Sequence, residues 1–183
     1  MEIPYLKYFG LNERPFGLTP DPQFYFETET HREALSHLAF LLGQKEGFAL
    51  IYGDVGLGKT TLSRIFLSSL DDNMYNTALI LNPIMDKDEI LKMIAKELGL
   101  ETSGLTRKEL YDSIEFFLLE EHSRGKETVI VIDEAQLLSN EALEFIRVLS
   151  NMETEKEKMT HLFEYSRYIP FRDNRDWINK NCR

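Results

Sequence analysis

The chain has 183 residues, enough for one domain with a sizeable core, and its 43% hydrophobic and 28% charged residues are those of an ordinary globular protein. A net charge of −10 argues against a broad nucleic-acid surface, which shows as a basic patch, and the single cysteine, Cys182, excludes an internal disulfide and fits a reducing compartment. No apolar run approaches the roughly 18 residues of a membrane-spanning helix, the start at Met1–Lys7 lacks the pattern of a signal peptide, and no Cys/His cluster suggests zinc.

Residues 1–29 carry Tyr5, Tyr8, Phe9, Phe16, Phe24, Tyr25 and Phe26, with Pro15, Pro20 and Pro22. Each proline disfavours helix at the residue before it, so this stretch is expected to be an extended arm packed by its aromatics against the domain. Thr30-His31-Arg32-Glu33 reads as a capping box that opens a helix through about Leu42, with Gly43 as its stop. Phe48–Tyr52 is a short apolar run suited to a buried strand.

Gly53-Asp54-Val55-Gly56-Leu57-Gly58-Lys59-Thr60 follows at once and fits G-x-x-x-x-G-K-[ST], the pattern of a phosphate-binding loop. Its glycines let the backbone turn closely around an anion. Successive N–H groups make a nest, and the following helix offers its positive N-terminus. Lys59 is expected to reach the β- and γ-phosphates of a nucleotide, and the Thr60 hydroxyl to ligate Mg²⁺. From Thr61 to Leu67 apolar residues recur at helical spacing, so the loop stands between a strand and a helix, the context the motif requires; the helix is expected to run to about Leu70.

Residues 77–81 read as a second strand. Asp86 is expected to cap a helix with Ile90, Leu91, Ile94 and Leu98 on its core face, ended by Gly99. Thr106-Arg107-Lys108-Glu109 is a further capping box, opening a helix through about His122. Val129-Ile130-Val131-Ile132, four β-branched residues in a row, reads as a parallel strand buried on both faces. It runs into Asp133 and Glu134, and two carboxylates there are costly unless a cation or water meets them. Beside a phosphate loop, Asp133 suits Mg²⁺ positioning and Glu134 suits general-base work. Ser139 is expected to cap a helix to about Met152, with Leu143, Ile146, Val148 and Leu149 as its apolar positions. Strands alternating with helices imply an α/β three-layer sandwich around a parallel sheet. Glu153–Lys158 reads as a solvated helix end or loop.

Several of these stretches coincide with one family. Phe9–Phe16, Leu18–Pro22 and His31–Leu35 resemble the N-terminal signature of the ExeA/GspA-type AAA ATPases of bacterial general secretion. Gly53–Thr61 and Val131–Gln136 look like that family's Walker A and Walker B motifs, and Leu149–Met159 is similar to its next helix and loop. The resemblance covers about residues 5–159. It implies a P-loop NTPase of AAA type that binds ATP through Gly53, Asp54, Val55, Gly56, Leu57, Gly58, Lys59, Thr60 and Thr61. Thr60 and Asp133 would hold Mg²⁺, and Glu134 and Lys59 would serve catalysis. It implies work on a secretion channel or pilus beside a membrane-anchored partner, self-association into a ring if the module is complete, and a place in the cytoplasm, at the inner face of the inner membrane.

The family would next show an apolar strand running into Gly-Gln-Pro, then an arginine finger and a helical lid. Residues 160–183 show none of these, carrying from Tyr165 onward five Lys/Arg against two Asp, and are expected to be a divergent basic tail that leaves the sheet incomplete at the C-terminus. The break after Met159 reads as a frameshift or insertion in the gene, and turnover is expected to be weak. Gln136 is a candidate γ-phosphate sensor or simply a polar residue at a helix start. Tyr25, Phe26 and His31 could border the adenine, although core packing is the stronger reading. Two other functions stay open: a DNA-associated AAA ATPase of transposition or replication, disfavoured by the acidic charge, and a nucleotide-binding module without catalysis.

Overall fold

A strand of four consecutive β-branched residues can be buried on both faces only if both faces are covered, and the computed structural model shows how. It describes residues 4–14, 25–45, 47–83, 87–150 and 160–166. Four strands, β1 (Phe48–Tyr52), β2 (Tyr75–Ile80), β3 (Glu127–Asp133) and β4 (Thr160–Ser166), form one parallel sheet in the order β1-β4-β3-β2. The helices are α1 (Pro4–Phe9), α2 (Glu29–Gly43), α3 (Lys59–Ser68), α4 (Lys87–Glu97), α5 (Arg107–Ser123) and α6 (Asn140–Ser150).

Alternation along β3 divides the core. Ile130 and Ile132 point to one side, where Ile90, Ile94, Leu110, Ile114, Leu143 and Ile146 from α4, α5 and α6 meet them. Val129 and Val131 point to the other, against Leu38 and Leu42 of α2 and Leu62 and Phe66 of α3. The result is the expected three-layer sandwich.

Thr160–Ser166 is the chief correction to the sequence reading. These residues are not part of a tail but the strand between β1 and β3, with Leu162 on one face and Phe163 on the other, both fully buried. His161 hides the strand in the sequence because an apolar run should follow. Its imidazole is buried because Glu127, at the start of β3, lies 3.0 Å from its Nε2, and Lys45 stands 3.4 Å from the same carboxylate. A buried polar group is tolerated when it is hydrogen-bonded. The rest of the expected tail, residues 167–183, lies outside the described residues, as do Glu153–Lys158.

The arm also differs from expectation. Residues 4–9 are helical, not extended, and the rings of Tyr8 and Phe9 pack edge-to-face on each other while staying exposed rather than docking on the domain. Phe16, Phe24 and the three prolines lie outside the described residues. Helix α2 starts two residues before the expected box. Thr28 sits in extended backbone and its hydroxyl accepts the His31 N–H, while Glu33, the acid of the expected box, faces His37 one turn on. Gly43 is the last helical residue, and Lys45 rather than a glycine takes the left-handed turn.

Other ends fall close to expectation. The Thr106 capping box is complete, with the Thr106 hydroxyl accepting the Glu109 N–H and the Glu109 carboxylate accepting the Thr106 N–H. Gly99 takes a positive φ and returns its N–H to Lys96 as α4 ends, while Asp86 lies outside the described residues. The Ser139 hydroxyl accepts the Ala142 N–H at the start of α6. Ala142 and Phe145 join the apolar face of α6, and Val148 turns outward.

Phe163→Ala removes a fully buried ring that meets Phe66 at 5.4 Å. It is expected to cost about 3–5 kcal/mol in chemical denaturation, whereas a residue in a tail would cost almost nothing. Hydrogen bonds from Thr106 hold the Glu109 carboxyl below the usual carboxylate range. That stabilisation is complete above the ordinary glutamate value of about 4.3 and is lost as pH falls through the lowered one. Thr106→Ala, which removes the larger of the two contacts, is expected to lose less stability on acidification from pH 5 to pH 3 than the unaltered chain does.

Candidate functional site

Strand β1 delivers the chain at Tyr52 to the loop Gly53–Gly58, and α3 begins at Lys59. Gly56 and Gly58 have φ of 82° and 78°, the left-handed region that side chains rarely enter. Gly58 is the N-cap of α3, and no side chain caps the helix, so its first-turn N–H groups stay available to an anion in front of them. The Lys59 ammonium folds back over the loop, donating to the carbonyls of Gly53 at 2.7 Å and Asp54 at 2.8 Å. This holds the cation at the loop's mouth and closes the loop around it. Val55 and Leu57 face solvent at the loop's tip, and Thr61 continues the first turn of α3.

Strand β3 ends alongside. The Thr60 hydroxyl donates to Oδ2 of Asp133, joining two residues 73 positions apart, and Oδ1 of Asp133 accepts the Glu134 N–H at 3.0 Å. Asp133 is only 3% exposed. A buried carboxylate with so few donors is well suited to a cation. A hydroxyl and a carboxylate are the hard oxygen ligands Mg²⁺ takes, and it commonly keeps waters as the remainder. Among the described residues there is no group of three or more His, Cys, Asp or Glu side chains placed to hold a metal ion.

Glu134 has a φ of 57°, unusual for a residue with a side chain. Such backbone carries about 1–3 kcal/mol of strain and gathers at functional sites. It swings the chain sharply out of β3 into the short 3-10 turn Ala135–Leu137. The Gln136 side-chain amide donates to the Glu134 carboxylate, so this glutamine orients the candidate base; sequence reasoning offered it as a phosphate sensor or a helix-start residue. No sequence signal announces this contact, because it needs the left-handed backbone at Glu134.

Of the three residues weighed as adenine neighbours, Phe26 is 82% exposed and belongs to no core. Tyr25 and His31 lie together with ring centroids 5.5 Å apart, and His31 touches the loop through the Leu57 carbonyl at 2.9 Å. A separate groove of about 690 Å³ lies between α4, α5 and α6, floored by Leu91, Tyr111 and Phe145 and rimmed by the Asp88–Arg107 ion pair. None of its lining residues belongs to the phosphate loop.

A parallel three-layer sandwich with a phosphate loop at the end of one strand and an acid pair at the end of another defines a P-loop nucleotide-binding domain. The AAA domain family matches residues 42–163, and the chain belongs to it. General secretion pathway protein A of Aeromonas hydrophila is 40% identical over 158 residues, 85% of this chain and 28% of that protein. The chain thus has the ExeA/GspA type of AAA module and spans little more than a quarter of that relative's length. The Aeropyrum pernix ORC2 protein, solved in ADPNP–ADP complexes, is 16% identical with a TM-score of 0.63, over 85% of this chain and 46% of that one. The Aeropyrum pernix ORC1 protein in complex with DNA is 22% identical with a TM-score of 0.63, over 87% and 45%. These two likenesses concern the fold. The family match runs to residue 163 and β4 to 166, so the sequence does not leave the module at Met159.

Gly58→Ala would force a side chain into left-handed backbone and place its Cβ 3.3 Å from the His31 ring. The backbone term alone is about 1–2 kcal/mol. Nucleotide affinity is expected to fall about tenfold or more, read by titration calorimetry.

Proposed function

We propose that this chain binds ATP with Mg²⁺ and hydrolyses it, and that it serves as the motor module of an envelope secretion or pilus-assembly system. The observation that carries the first part is the Thr60–Asp133 contact, which brings the end of the phosphate loop to the acid of β3. The loop N–H groups and Lys59 would bind the β- and γ-phosphates, and Thr61 lies on the same helical turn. Thr60 and Asp133 would hold Mg²⁺, which when bound neutralises charge building on the phosphate oxygens. Glu134, oriented by Gln136, would take the proton of the attacking water.

The second part rests on the 40% identity to the secretion pathway relative. It carries with it a membrane-anchored secretion or pilus partner, a ring of like modules, and a place in the cytoplasm at the inner face of the inner membrane. No described helix is long and apolar enough to cross a membrane. A net charge of −10 disfavours nucleic acid as the partner. Turnover by this chain alone is proposed to be slow, because an arginine supplied in trans contributes about 10³–10⁵ to such reactions.

Glu134→Gln is expected to keep ATP affinity and to lower phosphate release by about 10²-fold or more, the scale of general-base catalysis. Steady-state phosphate release and nucleotide titration on the same preparation check both halves. Equal turnover in the variant would remove Glu134 from the base role.

A further inference from the structure

The histidine beside the phosphate loop is built into its position from three sides. Its backbone N–H is taken by the Thr28 hydroxyl that caps α2, and its ring lies against that of Tyr25 at 5.5 Å. Its Nε2 lies 2.9 Å from the Leu57 carbonyl oxygen. A carbonyl can only accept, so Nε2 carries the proton and donates. Gly58 then passes so close that a Cβ on it would stand 3.3 Å from the same nitrogen.

The peptide between Leu57 and Gly58 is planar and trans, so its C=O and N–H point in opposite directions. A hydrogen bond that fixes the Leu57 carbonyl toward His31 therefore turns the Gly58 N–H away from His31. Gly58 is the N-cap of α3, the point where backbone donors gather for an anion. The other ring nitrogen, Nδ1, is buried without a hydrogen-bond partner among the described residues, as is the Tyr25 hydroxyl. The contact with the loop carbonyl is thus the one hydrogen bond of the imidazole among the described residues.

We propose that His31 is a positioning residue of the phosphate cradle, holding the Leu57–Gly58 peptide so that the Gly58 N–H faces the bound phosphate. This rests on the phosphate-binding reading of the loop. It differs from the adenine-neighbour role weighed for His31 from the sequence, because its effect is on phosphate rather than on the base.

Inorganic tripolyphosphate, which has no base, separates the two roles. Calorimetric titrations with ATP and with tripolyphosphate are made on the unaltered chain, His31→Ala, His31→Gln and Lys59→Ala. The proposal expects His31→Ala to weaken both ligands by the same factor, about threefold to tenfold for one lost hydrogen bond. It expects His31→Gln, whose amide can donate to the same carbonyl, to restore most of that loss. If His31→Ala loses affinity for ATP alone, the residue contacts the base and the proposal is overturned. If His31→Gln does not restore binding, His31 is a packing residue and the proposal fails likewise. If Lys59→Ala binds tripolyphosphate as tightly as the unaltered chain, or that chain binds neither ligand, the phosphate-binding reading itself falls and takes this one with it.

Discussion

The hydrogen bond from the Thr60 hydroxyl to Asp133 is the contact on which the rest of this structure depends. It needs β1 to end where its loop can hand α3 a start beside the sheet, and β3 to end at the same height. It needs both faces of β3 covered, so that the strand runs straight through the core and surfaces only at its acid. The helices, the strand order and the division of the core into two layers are the means by which that one contact is held.

Position within the sheet explains why β4 matters to it. Strands β1 and β3 are not paired with each other; β4 lies between them and pairs with each. The loop on β1 and the acid on β3 are therefore spaced by a third strand. Phe163 locks that strand onto α3 through Phe66, the helix whose first turn carries Thr60. A loss of β4 would leave the loop and its acid on separate pieces of sheet.

Much of this was legible in the sequence where one local rule acts alone. The glycine loop, the β-branched run at 129–132 and the Thr106 box each announce themselves because spacing and chemistry agree. Legibility failed where two local readings compete or where a distant residue decides. Thr28 and Thr30 both offer a cap, and only the backbone at Thr28 is extended. His161 looks like the end of a pattern until Glu127 is brought to it across 34 residues. Gln136 points to Glu134 because the chain takes a left-handed step at Glu134, which no residue type there foretells. Tyr8, Phe9 and Phe26 stay exposed although aromatics usually seek a core.

Strand β3 carries a carboxylate at each end, Glu127 and Asp133, six residues or about 20 Å apart. Six is even, so both acids belong to the same face as Val129 and Val131, the face covered by α2 and α3. The length of this strand is therefore subject to a parity rule. Inserting or deleting one residue between the acids would send one of them to the opposite layer, leaving either His161 or Thr60 without its partner. Change in pairs would keep the face and move the acid by about 7 Å along the sheet. The distance between the two ends of the sheet can thus drift only in steps too coarse to be neutral.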